Sequence, residues 1–104
     1  MKIDLSGKVA LVTGATGELG RVIARSLAEC GADVALHYHS NESKAAELKS
    51  AIEAMGRRAV AVKADITKQG SVEEMKKAVE AGLGQADIVV ANAVVQYQWT
   101  SVLE

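Results

Sequence analysis

A single cysteine, Cys30, cannot cross-link the chain to itself, so no disulfide framework holds this fold together and a packed core has to. With no histidine or carboxylate at a recognisable spacing from it, Cys30 reads as a small packed residue and no role is assigned to it. No apolar run reaches the roughly 18 residues that a bilayer span requires, and Met1-Lys2-Ile3-Asp4 is too polar to open a signal peptide. A cytoplasmic protein without a membrane partner is therefore the expectation. The 12 basic residues stand against 13 acidic ones, for a formal net charge of −1, and they are scattered rather than striped, which leaves no electrostatic footprint for nucleic acid. What remains, 104 residues of which 49% are apolar, is enough for one globular unit with a modest core.

One stretch organises the rest. Thr13-Gly14-Ala15-Thr16-Gly17-Glu18-Leu19-Gly20 follows the apolar run Val9-Ala10-Leu11-Val12 and precedes Arg21-Val22-Ile23-Ala24-Arg25-Ser26-Leu27, so it reads as strand, glycine turn and helix start. Such a turn must reverse the chain tightly, let phosphate oxygens reach the backbone and seat the new helix closely on the strand; glycine meets these demands by lacking a Cβ. The unpaired N–H groups of the first helical turn, near Leu19 and Gly20, then face an anion with the positive end of the helix dipole behind them. The alternative, a glycine-rich connector with no ligand, loses ground because strand, helix and second strand are all in place. A P-loop is disfavoured by Arg21, which stands where Lys-Ser or Lys-Thr would follow the last glycine. A receiver-like domain is disfavoured because no acidic pair follows the first strand.

The remaining chain repeats the unit. The first strand is expected near Val9 to Thr13, and its helix should bury Leu19, Val22, Ile23, Leu27 and Cys30 before ending at Gly31. A second strand runs from Asp33 to Tyr38, the polar cluster His39-Ser40-Asn41-Glu42-Ser43 supplies an N-cap, and the second helix repeats Ala45, Leu48, Ile52 and Met55 before Gly56. The third strand, Ala59 to Ala64, leads into Asp65; Ser71 and Glu74 form a candidate capping box for a third helix with Val72, Met75, Val79 and Leu83 on its apolar face and Gly82 and Gly84 at its end. Asp87-Ile88-Val89-Val90-Ala91 is the fourth strand. Near-continuously apolar strands between amphipathic helices predict an α/β, Rossmann-like, doubly wound parallel sheet of order 3-2-1-4 with three helices, one dinucleotide-binding unit over residues 1–104 that stops short after its fourth strand.

The glycine turn, the aspartate after the third strand, and Asn92-Ala93 after the fourth, taken in that order and spacing, resemble the short-chain dehydrogenases and reductases, with His37-Tyr38-His39 also similar to pteridine reductases of that family. The resemblance covers nearly the whole chain. It implies carbonyl reduction or alcohol oxidation with a nicotinamide cofactor. Two departures stand out. Many members carry Thr-Gly-x-x-x-Gly-x-Gly, whereas here Glu18 replaces the middle glycine and Gly17 precedes it, giving Thr-Gly-x-x-Gly-x-x-Gly, which looks like the extended branch of the family. Glu18 suits a bare helix N-terminus but opposes a pyrophosphate unless its side chain points away. After the fourth strand, Val94 stands where the family pattern Asn-Asn-Ala-Gly has its glycine, which burdens placement of the nicotinamide ribose.

On this resemblance the cofactor is held by Gly14, Thr16, Gly17, Leu19 and Gly20 at the turn, by Tyr38, His39 and Ser40 at the end of the second strand, by Asp65 and Ile66 at the adenine, and by Asn92 and Ala93. No acidic residue stands at the end of the second strand to accept from a free ribose 2′-hydroxyl, the nearest being Glu42; the donors there favour NADP, with NAD as the alternative. His37 reads as a half-buried strand residue, Asp65 has an N-cap role open to it, and Asn92 could be a sheet-end hydrogen-bonding residue without a ligand. No catalytic or metal-ligating residue is nominated. Family chemistry uses a serine and a tyrosine with a lysine four places on, but Glu42 follows Tyr38 at that spacing and Ser101 follows Tyr97. The 104 residues alone are thus expected to be inactive, as the cofactor-binding portion of an NAD(P)-dependent oxidoreductase; the competing reading is a non-catalytic nucleotide-binding or assembly module. Val94, Val95, Tyr97, Trp99, Val102 and Leu103 make an apolar end, and the fourth strand has an unguarded edge, so a homo-oligomer or a completing chain is expected.

Overall fold

The computed structural model describes residues 3–92, so Ala93 and the apolar end beyond it lie outside the described residues. The order of elements is β1 (Val9–Val12), α1 (Glu18–Glu29), β2 (Asp33–Tyr38), α2 (Glu42–Ala54), β3 (Ala59–Lys63), α3 (Gln69–Gly82) and β4 (Ile88–Val90). All pairings are parallel and the strands lie in the order β3-β2-β1-β4, as the apolar pattern predicts. Among the described residues no helix is long and apolar enough to cross a membrane.

Alternation along the strands divides the core in two. Val12, Val34, Leu36 and Ala59 meet α1 and α2 through Ala24, Ala28, Leu48 and Ile52, while Val9, Leu11, Ala35 and Val62 meet α3 through Met75, Val79 and Leu83. Both faces of the sheet are therefore covered over β1 and β2, which is why these strands lack the apolar-polar alternation of a half-wet sheet. Each buried Leu or Val contributes on the order of 1.5–3 kcal/mol. At the strand starts, Asp33 pairs with Arg58 (3.0 Å, Oδ2 to Nη2) and accepts from its backbone N–H, and Asp87 Oδ2 accepts from Val9 N at 2.9 Å. These contacts fix register at the end remote from the cleft described below.

Two expectations about helices fail. The buried stripe of α1 is Gly20, Ala24 and Ala28, whereas Leu19 and Val22 are 63% and 62% exposed and Cys30 is only half-buried; Ile23 and Leu27 pack on the flank of the core. The helix lies so close over the glycine turn that only hydrogen or methyl side chains fit between it and the sheet, and this displaces the bulky residues to the sides. The Ser71–Glu74 capping box is also absent: α3 begins at Gln69 with Lys68 as an N-cap that makes no side-chain bond, because the Ser71 hydroxyl instead accepts from the backbone N–H of Asp65 at 2.9 Å. The cap of α2 is found as expected, with Asn41 Oδ1 accepting from Lys44 N at 3.2 Å.

Candidate functional site

Ligands of open parallel sheets bind beyond the carboxyl ends of the strands where the winding reverses, here between β1 and β4. A cleft of about 440 Å³ opens there, within the size range of small-molecule sites. The glycine turn contributes Gly14, Thr16 and Gly17 to it, the end of β2 contributes His37 and His39, the segment after β3 contributes Ala64, Asp65, Ile66 and Thr67, and Asn92 closes it after β4.

The turn is held from both sides. Gly14 has φ +64°, in the left-handed region that favours glycine. Its N–H donates to His37 Nδ1 at 3.0 Å, and its carbonyl accepts from Asn92 Nδ2 at 3.2 Å. Thr13 Oγ1 accepts from Asn92 N at 2.9 Å and donates to the Val90 carbonyl at 3.3 Å. Side chains from β2 and from the end of β4 thus occupy both polar groups of one peptide-forming glycine. They aim the residues that follow. Gly17 then caps α1 with no side-chain bond, so the N–H groups of the first turn are left for solvent or a ligand anion. Glu18 is not among the residues that line the cleft; it lines a separate groove between α1 and α2 with Arg21, Arg25 and Lys44.

The cleft gathers some of the expected residues and leaves out others. His39 lines it and is exposed, Ser40 is exposed just beyond, and Asp65 and Ile66 line it from the segment after β3. Tyr38 is 8% exposed and Leu19 projects outward, so neither side chain lines the cleft, while Ala93 lies outside the described residues. The residue that sequence reasoning passed over is His37, which is 2% exposed and lines the cleft because it shares strand parity with His39 and not with Tyr38. An imidazole ending an otherwise apolar run was the available signal.

Asp65 does not cap α3; its Oδ1 accepts from both the hydroxyl (2.6 Å) and the N–H (3.0 Å) of Thr67. These two bonds, the hydroxyl first, hold its carboxyl below the usual 3.8. Since the folded value is the depressed one, the stabilisation from this turn is present above 3.8 and is lost as pH falls through the lowered folded value. Asp65 is therefore an anion at neutral pH, and among the described residues no donor reaches Oδ2. Thr67→Val is expected to raise the Asp65 titration midpoint in a carboxyl NMR titration; an unmoved midpoint would show that the Thr67 hydroxyl is not the cause.

A larger groove, about 570 Å³, runs along α3 and the flank of β4. Its walls are mainly apolar, with Leu11, Val72, Met75, Val79 and Val89, and no helix N-terminus opens into it. It is a poor seat for a pyrophosphate.

The sequence profile of the short chain dehydrogenase family matches residues 8–103. The chain belongs to the short-chain dehydrogenase family. Among its relatives is hydroxynaphthalene reductase arp2 of Aspergillus fumigatus, 45% identical over 91 residues that make up 88% of this chain and 33% of that protein. L-rhamnose 1-dehydrogenase (NAD(P)(+)) of a Sphingomonas species is 42% identical over 86% of this chain and 35% of its own length. A short chain dehydrogenase from Burkholderia cenocepacia, solved in complex with NADP, superposes with a TM-score of 0.83 at 42% identity, covering 88% of this chain and 37% of that one. This short-chain dehydrogenase chain thus spans about a third of the length of the curated relatives it matches.

Proposed function

We propose that residues 1–104 form a single dinucleotide-binding unit, the NADP(H)-binding portion of a carbonyl or alcohol oxidoreductase. The observation that carries this reading is the uncapped N-terminus of α1 opening beside the cleft, behind a turn whose glycine is held by His37 and Asn92. The pyrophosphate would lie on the backbone of Gly17, Glu18, Leu19 and Gly20, the adenine near Asp65 and Ile66, and the nicotinamide side toward Asn92 and Ala93. When bound, the cofactor supplies or accepts hydride; this chain's residues bind and orient it. Titration of the chain with NADPH, followed by fluorescence and thermal shift, tests the proposal; no saturable binding of any nicotinamide dinucleotide would refute it. The family's serine and Tyr-x-x-x-Lys are not among these 104 residues, so carbonyl-dependent NADPH oxidation by this chain alone is expected to be absent.

NADP is preferred because the end of β2 offers His39 and Ser40, both exposed, and no carboxylate before Glu42. The relatives' names allow either cofactor, one reading NAD(P)(+) and one structure holding NADP. Ser40→Asp is expected to shift the ratio of NADP to NAD affinity toward NAD by roughly tenfold, about 1.4 kcal/mol, through repulsion of the 2′-phosphate. Unchanged ratios in paired titrations would remove Ser40 from the 2′ site.

The completing surface is the outer flank of β4. Among the described residues nothing pairs with that edge, and Val89 is 61% exposed over the apolar groove. We propose that this flank is covered by further polypeptide, either the rest of a longer chain or a second copy. Sedimentation velocity of the 104-residue chain is expected to show concentration-dependent association that Val89→Lys reduces; a monomer at all concentrations would contradict this.

A further inference from the structure

We propose that His37 is a positioning residue of the cofactor cleft: its imidazole, neutral and protonated on Nε2, is the strut that sets the distance between the phosphate turn and the adenine wall. This rests on the cleft being a dinucleotide site. Gly14 N–H can only donate, and it lies 3.0 Å from Nδ1; the Ala64 carbonyl can only accept, and it lies 2.8 Å from Nε2. The two partners together leave one tautomer, with the lone pair on Nδ1 and the proton on Nε2. His37 is the one buried polar or charged side chain among the described residues, at 2% exposure, and both of its nitrogens are used.

What the ring joins matters more than its burial. Gly14 opens the turn that leads to the uncapped N-terminus of α1, and Ala64 is followed by Asp65, so the imidazole ties the two walls across the end of the sheet. The backbone supports the same link, since the His37 carbonyl accepts from Ala15 N at 2.9 Å. The preceding residue on this side of β2 is Ala35, packed in the apolar cluster under α3. An aliphatic side chain at 37 would continue that cluster, but it would leave the part-buried Gly14 N–H and the buried Ala64 carbonyl without their present partner.

Three variants and a spectrum test the role. Asparagine places an acceptor near the position of Nδ1 and so keeps the Gly14 bond, glutamine reaches the Nε2 position and keeps the Ala64 bond, and leucine keeps neither. NADPH dissociation constants are expected to rise at least tenfold for His37→Leu, with His37→Asn recovering most of that loss and His37→Gln recovering less. In ¹⁵N spectra of the parent chain, a one-bond proton coupling is expected at Nε2 of His37 and not at Nδ1. NADPH binding by His37→Leu equal to that of the parent, or equal losses in all three variants, would overturn the proposal. A proton on Nδ1 would overturn it too, even if the leucine variant failed to fold. If the parent itself binds no dinucleotide, the cofactor reading fails instead, which is distinguishable from a parent that binds and a leucine variant that binds as well.

Discussion

Gly20→Ala is expected to collapse the first crossover, lowering the unfolding midpoint by about 12 to 24 °C and abolishing dinucleotide binding. A methyl group on Gly20 would penetrate the Gly14 carbonyl oxygen and stand 2.9 Å from Ala15 Cα and 3.0 Å from Asn92 Nδ2. Two of these obstacles are backbone, so neither can rotate away. Overpacking ordinarily costs about 1–3 kcal/mol, and a clash with fixed backbone belongs at or beyond the upper end; at about 4–8 °C per kcal/mol for a unit of this size, 3 kcal/mol gives the stated shift. The displacement would also strip Gly14 of its bond to Asn92, coupling loss of packing to loss of the cradle. A thermal melt within a few degrees of the parent would show that α1 can lift from the sheet at little cost, and that the close approach of helix to turn is not what shapes the cleft.

The same close approach explains what the sequence could and could not reveal. Strand order was legible because four short apolar runs, joined by helices of matching length, leave few right-handed ways to build a parallel sheet. The buried face of α2 was legible too, since Leu48 and Ile52 are large enough to mark the stripe that Ala45 extends. For α1 the reasoning failed because hydrophobic periodicity weights large side chains, whereas a helix lying against a glycine turn buries Gly20, Ala24 and Ala28, whose smallness is the point. Ser71 misled for a related reason. A capping pattern states what a hydroxyl could bind and not which donor is nearest in the fold, and the Asp65 N–H at the end of β3 claims it. At the site, the spacing of the glycines placed Gly14 and Gly17, whereas Asp65 and Asn92 were placed by the resemblance to the family. The choice between His37 and Tyr38 could not, because parity toward the cleft is set by the register of β2 against β1 and β3. Asn92, read as either a ligand contact or a sheet-end hydrogen-bonding residue, is shown bonding the turn through Gly14 and Thr13.

Gly17→Asp is expected to move folding and binding in opposite directions. Nothing within the fold demands glycine at this position: φ is −72°, and the nearest neighbour of an added Cβ is the Gly14 carbonyl oxygen at 3.6 Å, an ordinary contact. An aspartate here occupies the N-cap of α1, where its carboxylate can accept from the free N–H groups of the first turn and meet the positive end of the dipole. Against glycine that gains a few tenths of a kcal/mol from the cap and about 0.3–1 kcal/mol from the charge, so the melting temperature should rise by a few degrees. Those same N–H groups are the donors proposed for the pyrophosphate. A carboxylate seated on them both competes for the donors and repels the incoming anion, and NADPH affinity should fall roughly 100-fold, or about 2.7 kcal/mol. Gly17→Ala separates the two causes, since it adds bulk without charge, forms no cap bond and should weaken binding less while stabilising nothing. If the aspartate variant melts higher and still binds NADPH like the parent, the helix N-terminus is not the anion seat. The dinucleotide, if it binds, would then have to be held from the β2 and β3 side of the cleft alone.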